Sequence, residues 1–138
     1  MAWGNPIKKP RAVDADAAGN LLIADSHNDR VVKLSPSGSM MIEIAGLKRP
    51  AGVAAGPAGS IIVSDTGHRL VKVFGADGAL ARQFALPPTE LTVEPDEDDE
   101  AEPGEPVGVA ADSAGNIYVA DPKGHRALKY DSLGNLLL

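Results

Sequence analysis

The apolar and polar positions of this chain change every few residues and never settle into a helical period. Between Pro10 and Leu47 they predict four short strands: Ala12-Val13-Asp14, Leu21 to Asp25, Val31 to Ser35 and Met40 to Ala45. The second is a nearly unbroken apolar run ending in Asp, and Ile61 to Asp65 and Ile117 to Asp121 have the same form. Short apolar runs bounded by turn residues suit strands buried on both faces. The third strand alternates better, with Lys33, Lys72 and Lys129 between apolar neighbours. The fourth mixes in Glu43, or Arg82 and Gln83, which suits an outer edge discouraged from pairing with other chains. No segment sustains apolar spacing at three and four residues, and glycines between the runs supply the positive φ of tight turns.

The pattern recurs three times. From Pro10, Pro50 and Pro106 the chain reads Pro-Arg-Ala-Val-Asp-Ala, Pro-Ala-Gly-Val-Ala-Ala and Pro-Val-Gly-Val-Ala-Ala. Each copy then reaches an Ala-Gly-x turn, at Ala18-Gly19-Asn20, Ala58-Gly59-Ser60 and Ala114-Gly115-Asn116. The Asp-terminated apolar run follows, then an Arg (Arg30, Arg69, Arg126) and a closing glycine turn (Gly38, Gly78, Gly134). Four antiparallel strands repeated at a period near 40 residues are the pattern of a β-propeller blade, so the expected class is all-β.

In these residues the chain resembles the NHL repeat, over about residues 10–47, 50–86 and 106–138. The resemblance implies four-stranded propeller blades, three of them, half of the six-bladed ring that NHL repeats typically build. On this reading residues 1–9 are the remnant of a preceding blade or linker. Blades 1, 2 and 3 occupy 10–49, 50–87 and 106–138, with an acidic disordered insert at 88–105. NHL relatives include substrate-binding ends of ubiquitin ligases, RNA-binding regulators, sensor ectodomains and zinc-dependent lyases, so the fold does not imply an activity.

Charge is unevenly placed. The chain has 19 acidic and 13 basic side chains, net −6, but Glu90 to Glu105 holds nine of the acidic ones and no basic one. The rest is a mildly basic body. The acidic stretch cannot bury apolar area and is expected to be disordered; it lengthens the repeat spacing between Pro50 and Pro106. The expected reading is a tolerated loop insertion at a blade junction; the alternative is an acidic tether that folds over the basic residues of the same face. The absence of cysteine excludes disulfides and thiolate metal sites. No apolar run approaches the roughly 20 residues of a membrane span, so the default expectation is a soluble, cytoplasmic protein without a membrane partner.

Strand order assigns the loops to two ends. The turns after the second strand, Ser26 to Asp29, Thr66 to His68 and Pro122 to His125, share the end where each copy enters at its proline. That end, the top, also collects Lys8, Lys9, Lys48, Arg49 and Lys123, the expected binding residues. The pairs Asp25–Arg30, Asp65–Arg69 and Asp121–Arg126 flank the top turns, where a carboxylate accepts hydrogen bonds from loop amides or a guanidinium. Their recurrence points to a structural role. His27, His68 and His125, one per copy at the top, are the candidates for a zinc or calcium site; Asp14-x-Asp16-x-x-Gly19 with Asp25 partly imitates a calcium loop but reads as the first bottom turn. The histidines sit unevenly before their arginines and have no evident general base beside them. The expectation is therefore no cofactor and no catalysis.

Three blades leave two apolar end faces. Either two chains close a ring head to tail, or further blades of a longer parent chain cover those faces. The chain accordingly reads as a binding or scaffold module that presents its top face to a protein or peptide. A metal-dependent lyase-like or lactonase-like propeller enzyme is the alternative. RNA binding is subordinate, because five aromatics and an acidic loop are poorly suited to stacking bases and approaching phosphates.

Overall fold

Each Asp-terminated apolar run becomes the second strand of an antiparallel sheet, and there are three such sheets in the computed structural model, which describes residues 6–88 and 104–138. The first sheet holds β1 (Ala12–Ala15), β2 (Leu21–Asp25), β3 (Arg30–Leu34) and β4 (Met40–Ile44) in chain order. The second repeats it with β5 (Gly52–Ala55), β6 (Ile61–Asp65), β7 (Leu70–Phe74) and β8 (Leu80–Phe84). The third holds β9 (Val109–Ala111), β10 (Ile117–Asp121) and β11 (Arg126–Tyr130). Its expected fourth strand is reduced to one bridge, Tyr130 to Leu136, continued by bonds between Lys129 and Leu137 and Leu138.

Strand boundaries fall within a residue or two of those expected in the first copy. Registers also repeat: Asp25 faces Arg30, Asp65 faces Leu70 and Asp121 faces Arg126. Both outer strands slip by one residue at the same place, between Lys33 and Leu34 and between Val73 and Phe74.

Period-two alternation gives each sheet two apolar faces, and the sheets stack through them. Leu22, Ala24, Val31 and Ile44 of the first sheet meet Val53, Ile61, Val63 and Phe74 of the second. Ala54, Ile62 and Val71 on the other face of the second sheet meet Ile117, Val119, Leu128 and Tyr130 of the third. The Phe84 and Tyr130 rings close this junction with centroids 4.5 Å apart. Burying a side chain of this size is worth about 1.5–3 kcal/mol, so these two junctions carry the fold. The short first strands β1, β5 and β9 lie innermost and side by side. This is a propeller-like arrangement.

Three polar links reinforce the apolar contacts. Asp14 Oδ2 accepts the Ala55 N–H at 2.9 Å, the Ser64 hydroxyl donates to the Val107 carbonyl, and Thr66 Oγ1 donates to the Pro106 carbonyl at 2.7 Å. Gly52 makes the close approach possible: a Cβ there would run into the Val107 carbonyl and lie 2.6 Å from Ser64 Oγ. Residues 1–5 and 89–103 lie outside the described residues, and with them most of the expected N-terminal remnant and acidic insert.

Candidate functional site

The turns after β2, β6 and β10 do share one end with the entering segments, because backbone bonds knit them together. His27 N–H donates to the Lys8 carbonyl at 3.2 Å and Gly67 N–H to the Lys48 carbonyl at 2.8 Å. The three aspartates are the centre of this knitting. Asp25 Oδ1 accepts the Lys8 N–H at 2.8 Å, Asp65 Oδ1 the Lys48 N–H at 2.7 Å, and Asp121 Oδ1 the Glu105 N–H at 3.2 Å. Each carboxylate thus ties the end of its second strand to the segment that enters its own sheet. All three are fully buried.

Their cationic partners differ. Asp25 Oδ2 receives Arg30 Nε and Asn28 Nδ2, both at 2.8 Å. Asp121 Oδ2 receives Arg126 Nε at 2.9 Å, and its Oδ1 also takes the Gly124 N–H at 3.1 Å. These two expected pairs are formed. The third expectation is corrected: Asp65 Oδ2 is held by His68 Nδ1 at 2.7 Å and Lys72 Nζ at 2.8 Å. The reason is register. Arg30 and Arg126 stand five residues after their aspartates, whereas Arg69 stands four after Asp65. Arg69 therefore takes the left-handed turn position of Asp29 and His125, with φ of 58°, 52° and 53° respectively. Leu70 occupies the place opposite Asp65.

Burial alone would push the Asp25 and Asp121 carboxyls up. Hydrogen bonds outweigh it and hold both below the usual carboxylate range: from Asn28, Lys8 N–H and Arg30 at Asp25, and from Arg126 and two amides at Asp121. Both stay ionised at neutral pH and are unsuited to proton transfer there. What they do in the structure is tie the turns to the entering segments.

The histidines occupy three different turn positions: His27 second, His68 third and His125 fourth after the aspartate. Among the described residues no three His, Asp or Glu side chains gather as a metal ion would require.

The top face instead carries a polar cleft of about 390 Å³. Arg11, Arg49, Arg69 and Lys123 line it with Thr66, Gly67 and Glu105. Glu105 Oε2 accepts from Lys123 Nζ at 3.1 Å. Of the expected binding residues, Arg49 and Lys123 reach the cleft; Lys8, Lys9 and Lys48 are not among its walls. The Lys48 stem lies against Gly67 instead. Arg11 is absent from the sequence expectation, and Arg69, expected in a pair with Asp65, lines the cleft instead. Arg11 had a legible signal, being the charged residue directly after a repeat proline where the other copies carry Ala51 and Val107. Arg49 adopts φ of 46° before Pro50, and its N–H donates to Asp29 Oδ1 at 2.8 Å. A long side chain in the left-handed region is unfavourable, so this bond fixes a strained backbone that presents a guanidinium to the cleft.

Residues 47–74 and 104–137 match the NHL repeat. The first unit lies outside both stretches, yet its sheet has the order and register of the second. A comparison with curated proteins by sequence found no match. Among solved structures, a streptogramin B lyase is similar over 96% of this chain and 41% of its own, with TM-score 0.74 and 16% identity. Virginiamycin B lyase from Staphylococcus aureus is similar over 98% of this chain and 42% of its own, with TM-score 0.74 and 13% identity. A gluconolactonase from Xanthomonas campestris, XC5397, is similar over 93% and 45%, with TM-score 0.64 and 22% identity. At such identities the likeness is one of fold. The chain spans less than half the length of each of these structures.

Proposed function

We propose that the NHL repeats of this chain form a binding module whose top-face cleft takes an acidic segment of a protein or peptide. The observation that carries this reading is the cleft itself: Arg11, Arg49, Arg69 and Lys123, from three successive units, line about 390 Å³ of polar space, with Glu105 facing the lysine among the described residues. Guanidinium groups suit carboxylates because they donate in a planar fork. The aspartate-tied turns hold the walls still, which lowers the ordering cost of binding. Among the described residues the cleft walls pair no nucleophile with a base, which supports recognition over catalysis.

The test is fluorescence anisotropy of a labelled Glu/Asp-rich decapeptide. Binding that weakens steeply with salt, and at least tenfold on Arg11→Glu/Arg49→Glu, is the expected result. Undiminished binding in that variant, or none in the parent, refutes the reading. A labelled RNA oligonucleotide bound more tightly than the peptide would move the module to nucleic acid.

A second reading, a metal-dependent lyase or lactonase, draws on the names of the similar structures. Its ligands would be His27, His68 and His125, which the fold does not gather. Stoichiometric zinc or calcium in the purified protein would favour it over the binding module.

A further inference from the structure

The two polar residues of the outer strand β8 have different surroundings. Gln83 is exposed, whereas Arg82 is half-buried on the face that meets the third sheet, in the row Ala54, Ile62, Val73, Arg82 set by the strand registers. Its Nε is cut off from solvent and has no hydrogen-bond partner among the described residues. A shielded donor without an acceptor is unfavourable, so an anion that reached it would find a vacant partner. Beside it lies a hollow of about 190 Å³, at the end of the sheets opposite the top face. Ile62, Val73 and Ile117 give it apolar walls, and Arg82 is the one charged residue among its described walls. Every wall residue lies between Pro57 and Ser132, well inside the chain.

The first unit shows what else can occupy this place. There the matching row is Leu22, Lys33, Ile42. Lys33 stands where Val73 stands, buried, with its ammonium 3.5 Å from Asp16 Oδ2. Asp16 N–H donates to the Asn20 carbonyl, and in the second unit Gly56 N–H donates to the Ser60 carbonyl, so Gly56 is the counterpart of Asp16. Where the first unit has an internal ion pair, the second has Gly56, Val73 and space. Its cation sits one strand further out, at Arg82. The aspartates of the adjoining turns are engaged in those turns: Asp77 Oδ1 accepts the Ala79 N–H at 3.0 Å, and Asp131 Oδ1 the Leu133 and Asn135 N–H groups at 2.9 Å.

We propose that this hollow binds a small monocarboxylate with a branched apolar body, its carboxylate on the Arg82 guanidinium and its alkyl chain against Ile62, Val73 and Ile117. A guanidinium donates to a carboxylate in a planar fork, and burial of the alkyl chain adds to that attraction. The hollow is smaller than the roughly 300–1,000 Å³ of sites for drug-sized ligands, which restricts the class to short acids. The ligand supplies the carboxylate that Asp16 supplies to Lys33 in the first unit. The site shares no residue with the arginine cleft of the top face and does not depend on what that cleft binds.

Titration of isotope-labelled protein with sodium 3-methylbutanoate, read through amide chemical shifts, tests this. Saturable shifts at Val73, Arg82 and Ile117 are expected, with Kd on the order of millimolar or below. The neutral 3-methylbutanamide has the same shape without the charge and should bind about tenfold more weakly or worse. Arg82→Met should weaken the acid by a similar factor, while Arg11→Glu/Arg49→Glu should leave its Kd unchanged. Absence of saturable shifts overturns the proposal. So does equal binding of acid and amide, undiminished binding by Arg82→Met, or shifts that centre on Arg11 and Arg49. The comparison of acid with amide uses the parent protein alone, so it decides the matter even where Arg82→Met fails to fold.

Discussion

Replacing Asp25 by Ala is the sharpest test of what holds the top face together. The change removes the acceptor for Lys8 N–H, Asn28 Nδ2 and Arg30 Nε, all at 2.8 Å. It also takes from the Arg30 guanidinium, whose side chain is 4% exposed, its buried carboxylate partner, while Glu43 stays 3.5 Å away and half in solvent. Removing one partner of a buried ion pair costs about 3–5 kcal/mol; the Glu43 contact sets Asp25→Ala near the lower end, about 3 kcal/mol. The same change at Asp121 should cost less, about 2 kcal/mol, because the Arg126 side chain is 23% exposed and rehydrates more readily. Urea unfolding followed by circular dichroism, at one fixed protein concentration, measures both. With m near 1–3 kcal/mol/M, the Asp25→Ala midpoint should fall by on the order of 1–3 M. A loss below about 1 kcal/mol, or a larger loss at Asp121 than at Asp25, would refute the assignment of these carboxylates as the main ties of the top face.

Acid should act through the same groups. The Asp25 and Asp121 carboxyls titrate below their unfolded value of about 3.9, so their stabilisation is complete above that pH and disappears as pH falls through the lower folded values. Unfolding free energy measured from pH 6 downward should therefore fall below about pH 4, and Asp25→Asn should make that fall shallower. Gly52→Ala places a methyl group against the Val107 carbonyl and Ser64 Oγ, both held by their own hydrogen bond. It should cost about 1–3 kcal/mol, and hydrogen exchange should show faster amides in β9 and β10; unchanged exchange there would sink the close-approach argument.

Much of the fold was legible because side-chain period and turn chemistry agree within each copy. The second strand was readable from its apolar run and terminal aspartate, and the top and bottom ends followed from strand order. The Asp65 site was misread because an Arg in every copy looked equivalent, whereas a one-residue difference in turn length moves the side chain off the carboxylate. His68 and Lys72 fill the place that Arg30 fills elsewhere, a substitution visible only once register is known. The left-handed residues Lys9, Asp29, Arg49, Arg69 and His125 were not anticipated either, since none is glycine. Their conformation is imposed by turn closure and by bonds such as Arg49 N–H to Asp29. The cleft needs residues from three units at once, and no local pattern announces such convergence.

No strand of one sheet pairs with a strand of another among the described residues. Among the described residues the backbone between sheets adds no strand to either neighbouring ladder. Seven residues separate β4 from β5, and 24 separate β8 from β9. By loop-closure entropy the longer tether costs only about 1 kcal/mol more, less than burying a single Ile117 against the second sheet returns. A junction of this kind accepts new sequence between units without altering either unit, so the segment between the second and third copies is free to acquire composition, such as a run of acidic residues, that no strand in the stack would tolerate.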